Sequence, residues 1–105
     1  MFLSTTESIT GYKIIKNLGI VRGNSVRAKW FGADFVAGLK NIVGGEVEQY
    51  MKLMSEAREK AIERMNNDAK KLGANAVVCV RFMTSQIAQG AAEILVYGTA
   101  VQVKQ

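Results

Sequence analysis

A chain of 105 residues, 49% hydrophobic and carrying a formal net charge of +5, is the size of one domain spanning 1–105, and can bury about 65% of the surface its unfolded form exposes. The excess of lysine and arginine favours anions, yet the cations are interleaved with acids and no basic block stands out. One cysteine excludes an intramolecular disulfide, and no apolar run approaches the roughly 20 residues of a membrane span. Residues 1–7 have no basic region, no long apolar stretch and no myristoylation glycine, so a cytoplasmic protein is expected.

Proline is absent, which leaves glycine to punctuate the chain. Residues 12–29 are rich in Ile, Val and Leu and read as one long strand, with bulges or bends expected at Gly19 and Gly23. Asp34 can cap a short helix over 34–43, in which Phe35, Val36, Leu39, Ile42 and Val43 recur at helical spacing. Gly44 and Gly45 break it. Val47, Tyr50, Met51, Met54, Ala57, Ala61, Met65, Ala69 and Leu72 then step by three and four, predicting an amphipathic helix about 40 Å long.

The charges agree with the direction of that helix. Glu46 and Glu48 lie in its first turn and Lys70 and Lys71 in its last, each opposing the local end of the dipole. Glu48 to Lys52 and Glu56 to Lys60 are i,i+4 pairs in the favourable order, and Gly73 supplies a left-handed cap. Small residues and methionine in the stripe suit close packing against a sheet or another helix.

Two strands follow, 77–85 and 93–103, joined near Ala88-Gln89-Gly90-Ala91 as a hairpin. Simple alternation puts Val78, Val80 and Phe82 on one face and Val77, Cys79 and Arg81 on the other. On the second strand Ile94, Val96, Gly98 and Ala100 oppose Leu95, Tyr97, Thr99, Val101 and Val103. Neither face is polar. A sheet apolar on both faces needs two covers, and with one long helix available the second is expected to be another copy of the chain.

The segments Leu18-Gly19-Ile20-Val21-Arg22-Gly23, Gly44-Gly45-Glu46, Glu56-Ala57-Arg58, Leu72-Gly73-Ala74-Asn75-Ala76-Val77, Arg81-Phe82, Glu93-Ile94-Leu95 and Tyr97-Gly98-Thr99-Ala100-Val101 together resemble the YbjQ-like family of small bacterial and archaeal proteins. The resemblance covers nearly the whole chain, with residues 28–33 departing most from the pattern. It implies a dodecin-like α+β subunit, an antiparallel sheet with one long and one short helix, assembled as a homopentamer. Such proteins sometimes carry the description "putative heavy-metal-binding domain", and the resemblance transfers no catalytic residue.

The ligands available can be set against that description. Borderline and soft metals want thiolates and imidazoles, and this chain has one cysteine and no histidine. No metal ligand is assigned within one subunit. Cys79 in Val-Val-Cys-Val reads as a small buried apolar residue, although copies around a symmetry axis could form a ring of thiols or carboxylates. No cofactor is assigned.

Acid–base or nucleophilic chemistry would need Glu, Asp, Lys, Tyr or Cys, and no serine elbow or phosphate-cradling loop is present. Gly44-Gly45-Glu46 reads as a break between helices, because the acid competes with any anion at that helix start. Arg58, Arg81 and Glu93 are expected to find partners, as salt bridges within or between subunits. The functional alternative is a ligand pocket at the subunit boundary lined by Arg22, Tyr50, Arg58, Arg81 and Tyr97. Lys13, Lys16, Arg22, Arg27 and Lys29, followed by Trp30 and Phe31, are too sparse and too divided between faces to favour nucleic acid. A non-enzymatic oligomeric binding or scaffold protein is therefore the first reading, and a small oligomeric enzyme with an interface active site the alternative.

Overall fold

In a computed structural model, residues 1–28, 45–88 and 91–105 are described, apart from the side chains of 27, 28, 45–47, 49, 50 and 88. The expected short helix over 34–43, the Trp30-Phe31 pair and the tip of the hairpin at 89–90 lie outside these residues. Strand β1 is Phe2–Leu3, β2 is Lys13–Ala28, helix α1 is Gly45–Lys71, β3 is Ala76–Ala88 and β4 is Ala91–Lys104. They form a four-stranded sheet in the order β1-β3-β4-β2, with α1 packed on one face, mainly over β2 and β4. The sheet is mixed rather than antiparallel throughout, because β1 pairs parallel to β3.

The helix seats through the alanines of its stripe. Ala57, Ala61, Met65 and Ala69 are fully or almost fully buried against Val21, Val77, Val80, Ile94, Val96 and Ala100. Two expected members of the stripe, Met51 and Leu72, are exposed instead. Gly23 explains how the helix comes so close. A Cβ there would stand 2.1 Å from the Ala61 carbonyl oxygen and 2.4 Å from the Met65 nitrogen, so β2 and α1 touch backbone to backbone. The bulge expected at Gly23 is absent, because its register with Val96 is regular, whereas β2 does slip between Asn17 and Gly19. Gly23 is a contact glycine and Gly19 a bulge glycine.

The end of α1 is closed by two bonds of a Schellman motif, from the Ala74 N–H to the Ala69 carbonyl and from the Gly73 N–H to the Lys70 carbonyl. Gly73, at φ 84°, takes the left-handed position that a side chain would strain. Asn75 then starts the sheet. Its amide donates to the Val103 carbonyl at 2.9 Å and accepts from the Val103 N–H at 2.8 Å, replacing one rung of the ladder with a side chain.

Strand β3 carries an extra residue. Val78 pairs with Thr99 but Arg81 pairs with Tyr97, so three steps on β3 match two on β4. Cys79 sits in this bulge at φ 56°. Successive N–H groups of Cys79 and Val80 both turn outward, to the carbonyls of Thr6 and Ser4. The bulge corrects the simple alternation: Val77 joins Val80 in the cluster beneath the helix, and Val78 joins Ala76, Val101 and Val103 in a second cluster on the opposite face.

That second cluster has a cover the sequence reading did not provide. The N-terminal arm runs along β3, bonding from Phe2 to Thr6, and Ile9 and Tyr12 pack on the far face of the sheet beside Cys79. The rings of Phe2 and Tyr12 stand 5.0 Å apart.

Candidate functional site

The arm covers only one end of the far face. Beyond it, register places Arg22, Tyr97 and Arg81 in one row across β2, β4 and β3, followed by a row of Asn24, Leu95 and Met83. Ile20 and Thr99 form the row before them. Large apolar groups here meet solvent: Ile20 is 78% exposed, Met83 54%, Val26 44% and Tyr97 38%. Such a row of Ile, Leu, Tyr and Met on an uncovered sheet marks an interaction surface rather than scattered surface hydrophobes.

A concavity of about 360 Å³ opens on this face, lined by Ile20, Cys79, Arg81, Tyr97, Gly98 and Thr99. The bulge helps to shape it by placing Cys79 and Arg81 beside the Tyr97 row. Arg81 is held by main-chain oxygens. Its Nη1 donates to the Thr5 carbonyl at 2.8 Å and to the Val80 carbonyl at 2.9 Å, tying the arm to the bulge. The floor thus offers an apolar strip with a phenol, a hydroxyl and a thiol at its margin. It suits a partially apolar ligand or a partner surface with a few hydrogen-bonding groups.

Of the five residues proposed from sequence for a boundary pocket, Arg81 and Tyr97 line this concavity together. Arg22 shares their register row but lines a different cleft, between the outer edge of β2 and α1. Arg58 lies apart on the exposed side of α1, where it donates to Ser55 Oγ at 2.9 Å. Tyr50 belongs to α1, with its side chain outside the described ones. Within the chain, Arg58, Arg81 and Glu93 meet neutral partners among the described residues in place of salt bridges, Glu93 accepting from Asn24 Nδ2 at 3.1 Å. Lys60 likewise turns to Glu63 at 3.5 Å rather than to Glu56, an exposed pair of small energetic weight. The sequence signals that were missed are the apolar residues of the arm, Phe2, Leu3 and Ile9, which no predicted element used, and Tyr12, which was expected to open the long strand but lies before it.

A helix laid on one face of a small mixed sheet defines this as a small α+β protein, with part of the other face uncovered among the described residues. The same fold occurs in a crystal structure of a protein of unknown function of the DUF74 family from Pediococcus pentosaceus, with a TM-score of 0.60 and 18% identity over 99% of this chain and 98% of that one. A family model described as "Putative heavy-metal-binding" matches residues 1–104, and the chain belongs to this YbjQ-like family. It is 56% identical over 104 residues to a UPF0145 protein of Dehalococcoides mccartyi, covering 99% of this chain and all of the relative. It is 55% identical over 103 residues to a UPF0145 protein of Methanosarcina acetivorans, covering 98% and 97% of the two chains.

The donors present do not fit a heavy-metal site within one chain. There is no histidine and one cysteine, and among the described residues no three of His, Cys, Asp and Glu converge. Cys79 shares its concavity with Ile20, Tyr97, Thr99 and Arg81, whose charge disfavours a cation there. No helix among the described residues is long and apolar enough to cross a membrane.

Proposed function

We propose that this chain is the subunit of a non-enzymatic, cytoplasmic homo-oligomer, five-membered by its family resemblance, that acts as a binding or scaffold protein. The observation that carries the reading is the open sheet face, where Ile20, Val26, Met83 and Tyr97 stay exposed although the helix and the arm, the covers among the described residues, are already in place. A neighbouring copy laid on this face would remove that surface from water at about 25 cal/mol per Å² of apolar area. It would also roof the concavity beside Arg81 and Tyr97, turning a shallow recess into an enclosed interface pocket for a small ligand or ion.

Ile20→Lys tests the face without disturbing the subunit core, because Ile20 lies outside both buried clusters. The variant is expected to sediment as a smaller species than the parent while keeping its far-ultraviolet circular dichroism. An unchanged sedimentation coefficient would remove the open face from the interface.

A further inference from the structure

The second cleft is chemically unlike the first. It lies between the outer edge of β2 and the last two turns of α1, encloses about 450 Å³, and is lined by Arg22, Asn24, Arg64, Asn67, Asp68 and Lys71. Residues 64, 67, 68 and 71 follow helical spacing, so α1 aims one flank at the strand edge. Three cations and one acid leave the cleft a formal charge of +2.

Two of these side chains are committed to the edge strand. Arg64 Nη1 donates to the Asn24 carbonyl at 2.6 Å, and Asp68 Oδ2 accepts from the Arg22 N–H at 3.4 Å. They blunt the unpaired edge of β2, as a covered edge requires. The bond to Asn24 also fixes the Arg64 guanidinium and leaves other donors of its fork available. Asp68 is turned to the strand. Among the described residues, the Arg22 guanidinium and the Lys71 ammonium meet no acid and no acceptor. Lys70 and Lys71 offset the negative end of the helix dipole, which would otherwise repel an anion.

We propose that this cleft binds a compact phosphate-bearing anion, with Arg64 as the fixed fork and Arg22 and Lys71 closing on the remaining oxygens. Planar guanidinium groups match phosphate oxygens in pairs, and a lysine adds a point charge. Arg64, Asp68 and Lys71 reach the cleft from the helix side of the β2 edge, whereas Arg22 and Asn24 also stand in rows of the open face, so Lys71 is the cation that tests this site apart from the assembly proposed for that face.

Isothermal titration of the full chain with inorganic pyrophosphate, at fixed ionic strength with sulfate as competitor, tests the site. Arg22→Gln and Lys71→Gln each remove one charge that meets no acid or acceptor among the described residues, and Lys60→Gln removes one from α1 outside the cleft. Saturable binding is expected, weakened about tenfold or more by each cleft variant and less than about threefold by Lys60→Gln. Equal losses in all three variants, or no saturable binding, would overturn the proposal. A single-stranded oligonucleotide that binds where pyrophosphate does not would equally overturn it, since the surface would then read a polymer backbone. Sedimentation of Lys71→Gln, which lies on α1 away from the open face, should match the parent, which separates a failure here from a failure of the open-face interface.

Discussion

Three residues carry conformations or contacts that their neighbours cannot replace. Gly23 lets α1 touch β2, and Gly23→Ala would drive a methyl group into the backbone of Ala61 and Met65, neither of which can move as a side chain would. A loss of about 2–3 kcal/mol is expected in urea unfolding, from overpacking with no compliant neighbour. Gly19→Ala meets open space and strains only its φ of 103°, so a loss nearer 1 kcal/mol is expected. A reversed order would show that the helix does not rest on Gly23. Both glycines were visible in the sequence as interruptions of one strand, but their two roles were not, because a bulge and a close contact leave the same letter. Cys79 was less legible still. Its left-handed φ follows from the extra residue in β3, and a run of Ala-Val-Val-Cys-Val has no polar letter to betray a slip of one position.

Among the elements, the helix was the most legible because its burial follows from period alone. Ala57, Ala61, Met65 and Ala69 were expected on one face and are buried there. Met65 fills the largest buried volume in the described core, so Met65→Ala should cost about 2–5 kcal/mol in the same unfolding measurement. A cost below about 1 kcal/mol would mean that α1 is not seated on the sheet. The hairpin was legible too, with strands longer at both ends than expected, β3 running Ala76–Ala88 and β4 Ala91–Lys104. The arm was not. A two-residue strand gives no periodicity, and its hold on the sheet comes from main-chain bonds to Asn75, Val77, Cys79 and Val80 and from Arg81, which no side-chain pattern announces. Arg81 was expected to need a partner, and the partner is the arm.

At the scale of the molecule, the described residues leave apolar surface on one sheet face. The Cα radius of gyration is 17.0 Å, against about 13 Å for a compact chain of this length, and the principal extents are 52 × 22 × 16 Å. An elongated subunit with Ile20, Val26, Met83 and Tyr97 exposed on one sheet face has apolar area to bury and no further segment among the described residues to bury it. The two-sided apolar sheet was legible in the alternation of β4; that the arm already covers one end of it was not, which narrows the expected interface to the rows from Ile20 to Val26. Native mass spectrometry of the untagged chain, purified without chelators, tests the central claim most directly. The account predicts one closed assembly of five subunits, with any mass above five chains in fixed ratio to them. A bare monomer at micromolar concentration would contradict it.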